Sequence, residues 1–599
     1  MVTTYDLIVR GGLILDGSGG PGFTGDVAVR SGRIAAIGAK VEGDADEVIN
    51  ATGCIVTPGF IDGHTHYDAQ ATWDDALEPS ASHGVTTVVM GNCGVGFAPV
   101  KPSDKARLIG LMEDVEDIPG TALHEGIRWA WESFPQYLDA LSRRALAMDV
   151  SAMIPHAPLR LYVMGERGAA DEPATAEDLA AMAALVEEAL LSGAVGFSTS
   201  RVQEHRTSAG VEIPGTFASE AEIMALAGAV RASGRGVVQV VPRGLVGGAI
   251  YPESANQLMR EVEMFARVAL STRSPVIVSI LQAHDERDAW REVMTTAEQV
   301  GDAGGRLYPM VEPRASGQLA SWSGYHIFMR RETYLGLAHL PLEAQLAELR
   351  KPEVRAAILS DKDVPPTTDA LMSNYHLTLR RTLPYQFIYD RDASFEPVRR
   401  TESIRSRAEA AGMDIEAFAY DAMMGADGRA QLFGLSNNYA NGNYDDVAEM
   451  LMHPATLVGL SDAGAHVRII CDAANPTYML TFWARDRVRG PTLPLEAVIR
   501  MNSADLADAF GFADRGRLEV GLRADINVID FENLQLDLPY LTDDLPKGGR
   551  RMLQKAKGYV ATLVNGVVTR RNDQDTGARP GRLVRDAGFH KLSSSSAKP

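Results

Sequence analysis

The segment GFIDGHTHYDAQ (residues 59–70), followed by HGVTTVVMGNCGVGFAP (residues 83–99), decides how the chain is read. Side chains alternate faces along an extended strand, so His64 and His66 project to the same side and can reach one cation. Cys93 closes the next apolar run, in GNCG. A buried free cysteine commonly serves as a small apolar group. Beside a metal, however, a thiol is held as thiolate, and Cys93 stands one strand away from the histidine pair.

Outward from these two runs the pattern repeats. GFIDGHTH, GVTTVVMGNC, DVSAMIPHAPLR, GAVGFSTS, GVVQVV, SPVIVSILQAH, GRLYPMVEP and PATLVGLSDAG are strand-like, and helical stretches such as AEDLAAMAALVEEALLS lie between them. Eight β-α units predict an α/β fold, a (β/α)8 TIM-like barrel. His64, His66, Cys93, His156, His284 and Asp462 fall at the C-terminal ends of these runs, the rim where barrel enzymes collect catalytic groups. The first sixty residues and the stretch from RGRLEVGLRADINVIDF to KGYVATLVNGVVTRR are β-rich with glycine turns. They are expected to share one small β-sandwich domain. The division is therefore 1–57 and 511–575 for the sandwich, 58–510 for the catalytic barrel with a helical lid inserted at about 322–443, and 576–599 as a tail, poorly ordered or in contact with a partner chain.

Composition narrows the function. The 599 residues are 45% hydrophobic, with a formal net charge of −20, which gives no basic field for nucleic acid. No apolar run approaches the roughly 20 residues that cross a bilayer, and the N-terminus lacks the pattern of a secretion signal. Three scattered cysteines without a C-x-x-C spacing argue against a disulfide framework. A cytoplasmic protein with neither a nucleic-acid nor a membrane partner is expected. GSGGPG (residues 17–22) has the spacing of a dinucleotide-binding loop but is followed by a strand, GDVAVRSGRIAAIG, so it reads as a turn. GFSTS (residues 196–200) lacks the final glycine of a nucleophile elbow, which leaves Ser198 a local role.

In order along nearly the whole chain, VTPGFIDGHTHYDAQ, GVTTVVMGNCGVGFAP, PHAPLR, GAVGFSTS, LVGLSDAG, the stretch LPLEAVIRMNSADLADAFGFADRGRLEVGLRADINVIDF and a final LVNG resemble the amidohydrolase superfamily, most closely its N-acyl-D-amino-acid deacylase branch. The resemblance implies a zinc-dependent hydrolase, with one or two ions, acting on carbon–nitrogen bonds other than peptide bonds in a small-molecule amide, and a homo-oligomer. By motif position it implies that His64, His66, Cys93, His284 and Asp462 hold the metal, with Asp462 as general acid and base. His156, Arg160, Arg243, Glu286, His466 and Arg468 are the candidate substrate contacts.

Three departures bear on substrate. A strand-five histidine of the branch is replaced by the run Val240, Val241, Pro242, Arg243. A lysine that helps hold a substrate carboxylate is replaced by Glu286. The His-Pro-Arg after the last strand has no clear counterpart, and Ala465, His466, Val467 and Arg468 stand in that region. A neutral or cyclic amide is therefore the alternative to an N-acyl amino acid. A noncatalytic assembly role on the same fold is the reading from another class.

Overall fold

Each of the eight apolar runs contributes one strand to a single parallel sheet in the computed structural model, which describes residues 4–207, 209–247, 252–366, 374–390 and 395–585. In chain order these are β1 (Phe60–Asp62), β2 (Val85–Met90), β3 (Asp149–Pro155), β4 (Gly196–Ser200), β5 (Val237–Val241), β6 (Val276–Ile280), β7 (Leu307–Val311) and β8 (Leu457–Val458). Neighbours in the chain are neighbours in the sheet, so β1 and β8 form its two edges. The edges meet just beyond the strand ends, where Thr65 and Ala463 form a parallel bridge. There the His66 amide donates to the Ala463 carbonyl over 2.7 Å.

Strands covered on both faces read as continuous apolar runs, and every residue of β2, β5 and β6 is buried. The helix Ala289–Asp302 covers one outer face by burying Trp290, Val293, Met294, Ala297 and Val300, spaced at helical intervals. Thr175 starts the helix Ala176–Leu191 with a capping box closed by Asp178.

The terminal segments share a mixed sheet. Ile55–Pro58 pairs antiparallel with Ile526–Ile529, in the register Val56 to Val528, and thereby joins the N-terminal strands to Tyr559–Val564 and Val567–Arg571. Leu7, Val9, Val27, Val56, Ile526 and Leu563 fill its core.

Two expectations need correction. The insertion after β7 contains the expected helices, Leu342–Leu349, Pro352–Ser360 and Ile415–Met423, but also an antiparallel sheet of Gly317–Ala320, Gln431–Leu435 and Gln386–Tyr389. It packs around its own core of Trp322, Phe328, Leu346, Leu379 and Tyr420. The tail is anchored as far as residue 585. Gly581 and Leu583 bridge to Leu146 and Val150, the Arg582 amide donates to Asp149, and Val584 is buried. Polar composition concealed this because the contacts are made largely by backbone and by arginines, Arg579 pairing with Asp75 and Arg585 with Asp139, beside the buried Val584. The serine run at 593–596 lies outside the described residues. Among the described residues, no helix is long and apolar enough to cross a membrane.

Candidate metal centre

The His-x-His segment is clamped between two neighbouring elements. Thr65 donates both its amide (3.0 Å) and its hydroxyl (2.9 Å) to the Val89 carbonyl of β2, while His66 is tied to the β8 side through Ala463. With Thr65 turned outward, period-two alternation aims both imidazoles into the barrel mouth. Asp62 and Ser461 complete the clamp. The Ser461 hydroxyl donates to the Asp62 carboxylate (2.6 Å) and to the His64 carbonyl (3.0 Å), and Asp62 accepts the His64 amide at 3.2 Å.

Cys93 and Asp462 are brought to the histidines by backbone in the left-handed region, at φ 55° and 46° respectively. Non-glycine residues are uncommon there, and such strain persists only where surrounding structure imposes it. The Cys93 turn depends on Gly91, at φ 82°, where an added Cβ would lie 2.3 Å from the Met153 carbonyl oxygen. Ser198 buttresses the same turn by bonding the Gly91 carbonyl and accepting the Gly94 amide, a local role and not a nucleophilic one.

The result is a group of four donors, His64, His66, Cys93 and Asp462, whose ligand atoms all lie within 4.8 Å of one another. His64 Nε2 is 3.0 Å from Asp462 Oδ1 and 3.3 Å from Cys93 Sγ, and His66 Nε2 is 3.6 Å from the same Asp462 oxygen. Yet both nitrogens of His66, Nδ1 of His64 and Oδ1 of Asp462 are buried without hydrogen-bond partners. Buried polar atoms are ordinarily satisfied. A convergent set left unsatisfied fits a cation.

Protonation tendencies agree with this reading. Burial lowers His66 to about 4, which keeps it neutral as a ligand must be. Burial, together with the charges of Glu116, Asp462 and Asp68, pushes the Cys93 thiol well above its usual range, so a thiolate here needs a cation beside it. At Asp462 burial works against ionisation, but His64 and His66 outweigh it and hold the carboxyl well below the usual range. The Asp462 side chain is 26% exposed although Oδ1 is enclosed, which leaves the rest of the carboxylate open to a cavity of about 220 Å³.

His284 does not join this group. β6 ends at Ile280, and the following turn is tied to the segment after Leu435, because Gln282 and Asn438 exchange backbone and side-chain hydrogen bonds. That carries the His284 ring to the Leu435 carbonyl, 3.3 Å away. The β6 rim presents Leu281 to the cavity instead.

Of the candidate substrate contacts, His466 lines the cavity, 3.6 Å from Glu116. Arg468 lines an adjoining cleft, where it pairs with Asp117 and lies over Tyr325. The other four do not line the cavity. His156 and Arg160 are buried against Glu222, Arg243 donates to the Thr216 carbonyl, and Glu286 accepts the Asn256 amide. Each has a local partner that turns it from the mouth.

Sequence reasoning missed Glu116, Glu204, His205 and Glu312, all of which line the cavity. Glu312 was within reach, because it directly follows β7, the position that singled out Cys93. Glu116 ends the helix Lys105–Glu116 on its buried face, and Glu204 and His205 sit in a connecting segment with no periodic signal.

Two histidines, a thiol and a carboxylate converge at the C-terminal rim of an eight-stranded α/β barrel, a donor set suited to a metal ion. The amidohydrolase family matches residues 47–570, and the chain belongs to that family. A D-aminoacylase of Alcaligenes xylosoxydans xylosoxydans is 40% identical over 195 residues, covering 33% of this chain and 37% of that one. The match thus spans little more than a third of that enzyme. An uncharacterized protein of Mycobacterium tuberculosis is 29% identical over 95% of this chain and 92% of its own. Among solved structures, an N-acyl-D-glutamate deacylase of Bordetella bronchiseptica, complexed with zinc and a phosphonate inhibitor, aligns with a TM-score of 0.62 at 24% identity. That alignment covers 97% of this chain and all of the other.

Proposed function

We propose that the protein is a zinc-dependent hydrolase of nonpeptide carbon–nitrogen bonds, an N-deacylase in the broad sense, with Asp462 as its proton carrier. The observation that carries this reading is the unsatisfied convergence of His64, His66, Cys93 and Asp462. Two imidazoles, a thiol and one carboxylate suit zinc over magnesium or calcium, which take oxygen ligands. A zinc ion held there would polarise a scissile carbonyl and lower the pKa of water toward about 7.

The residues of the chain do the rest. In amide hydrolysis the acyl carbon gains the oxygen of water, the C–N bond breaks, and the departing nitrogen gains a proton. Asp462, with one oxygen against the two histidines and the remainder facing the cavity, takes up the proton of the attacking water and returns it to the nitrogen. The apolar wall of Val202, Val241, Leu245 and Leu281 limits water around the reacting atoms.

A second reading concerns the substrate. Two Alcaligenes relatives act on N-acyl amino acids by name, an N-acyl-D-aspartate deacylase and an N-acyl-D-glutamate deacylase. Here the described lining of the cavity contains no lysine or arginine, so a free substrate carboxylate would have no ion-pair partner. A neutral or cyclic amide fits better. N-acetyl-D-amino acids assayed beside the matching primary amides and cyclic imides decide between them, and turnover confined to the free acids removes the neutral-amide reading. Metal analysis tests the whole. A purified protein that contains no zinc, and cannot be reconstituted with it, would favour the noncatalytic assembly role.

A further inference from the structure

One imidazole in the cavity has no part in the chemistry above. His205 lies five residues beyond the end of β4 and lines the same cavity as His64, Cys93 and Asp462. It is close enough to His466, Asp462, His66 and His64 for their charges to act on its ring. The loop that carries it is held on both sides. The His205 amide donates to the Val202 carbonyl (3.3 Å), and its carbonyl accepts the Ile213 amide (3.1 Å). The next residue, Arg206, donates to the Gln203 and Gly210 carbonyls and pairs with Glu212 at 2.6 Å.

The partners of the ring fix its tautomer. Nδ1 is 3.0 Å from the hydroxyl of Ser200, a buried residue that already accepts the Val202 amide at 3.3 Å. That hydroxyl has one proton and, among the described residues, no acceptor other than Nδ1. Were Nδ1 the donor, a buried hydroxyl proton would be stranded. Ser200 therefore donates, and the ring proton is on Nε2. Among the described residues Nε2 has no partner and, unlike the nitrogens of His66, it is not enclosed. Withdrawal from water, then the neighbouring His466, lower the ring to about 3, which keeps it neutral. A neutral imidazole donates a hydrogen bond at neutral pH without giving up its proton.

We propose that His205 is a further catalytic residue, whose Nε2–H donates to the acyl oxygen of the scissile amide as that oxygen becomes negative. Asp462 already accounts for the proton that the departing nitrogen gains, so the ring supplies only a hydrogen bond and no proton leaves it. Ser200 holds the donor tautomer, and the Arg206 turn fixes the place of the ring. Such stabilisation depends on donors set in position beforehand. The inference deepens the hydrolase reading and rests on it for its kinetics, but not for the tautomer or for the binding of a tetrahedral anion.

His205→Ala and His205→Gln, as zinc-loaded full-length proteins, are assayed on whichever of the N-acetyl-D-amino acids, primary amides and cyclic imides the wild type cleaves fastest. His205→Ala should lower kcat by about 100- to 1,000-fold, the range of one lost oxyanion donor, with KM and zinc content nearly unchanged. His205→Gln keeps a neutral N–H and should recover at least about tenfold of that loss. Two readouts need no turnover. Nitrogen NMR of histidine-labelled protein, with His205→Gln identifying the signal, should show Nε2 protonated and Nδ1 bare at neutral pH. Titration calorimetry with methylphosphonate, whose oxygens imitate the tetrahedral intermediate, should show the wild type binding at least about tenfold tighter than His205→Ala. If both hold and no amide is cleaved, the donor assignment of His205 is supported and it is the hydrolase reading that fails. A proton on Nδ1, equal kcat in wild type and His205→Ala, or equal losses in the two variants overturns the proposal. So does methylphosphonate binding that is absent from the wild type or unchanged in His205→Ala.

Discussion

Two buried clusters of histidine and carboxylate lie in the same barrel and differ in how they are finished. His156 is hydrogen-bonded through Nδ1 with the Thr199 hydroxyl and through Nε2 with Glu222, each at 2.9 Å, and Glu222 is further tied to Arg160, which is also paired with Asp171. Both ring nitrogens of His156 have partners there, and the buried atom without one is Arg160 Nε, on the guanidinium and not on the ring or the carboxylate. His64, His66 and Asp462 are equally buried on the ring side, but three ring nitrogens and one carboxylate oxygen have none. A cluster that closes on itself holds a helix to a strand. One left open by the protein is shaped for something the protein must acquire.

The sharpest way to break the comparison is Asp462→Asn. It should lower kcat/KM by about 100- to 10,000-fold, the range of a lost acid–base group, with little change in thermal midpoint. Unchanged turnover would remove Asp462 from the chemistry. Glu222→Gln should do the reverse and cost about 3 kcal/mol in denaturant unfolding, since it strands part of the buried Arg160 charge, while zinc content stays the same.

The same carboxylate gives a pH signature. Burial opposes its charge, but His156 and Arg160 win and hold Glu222 at about 2 in the folded protein, against 4.5 for the free group. A carboxyl depressed by folding stabilises above its unfolded value, so this contribution is complete above about pH 4.5 and is lost as pH falls toward 2. Acid unfolding of Glu222→Gln should lack that slope.

Metal removal separates the clusters further. Chelation should destabilise the wild type by about 2.7 kcal/mol when zinc had been present at 100 times its Kd, and the loss should vanish in a His66→Ala background. A midpoint unmoved by chelator in the wild type would contradict the open-cluster reading. The smallest effect is expected at His284→Ala. It should retain zinc in full and cost about 1 kcal/mol for the bond to Leu435. Loss of zinc there would restore His284 to the ligand set.

Much of this was legible in the chain. Period-two alternation makes His64 and His66 co-directional in any strand, and the repeat of apolar runs with helical stretches leaves few folds other than an eight-unit barrel. The rule that chemistry collects at strand ends found Cys93 and Asp462, and applied to GRLYPMVEP it would have found Glu312. It misplaced His284 and His156 because the rule says where a side chain starts, not which way the following turn runs. The His284 turn follows Asn438, more than 150 residues away, and the direction of His156 follows Glu222, 66 residues later on the helix Glu220–Ala232.

By itself the sequence determined the barrel, the terminal strands that flank it, and the donor types at the first, second and eighth strands, because local alternation and propensity act over a few residues. Only the tertiary structure decided which donors converge, that the fifth and sixth strands present an apolar wall, and that Glu116, Glu204 and His205 face the same cavity. Convergence depends on long-range packing and on backbone held at positive φ at Cys93 and Asp462, conditions that no stretch of neighbouring residues encodes on its own.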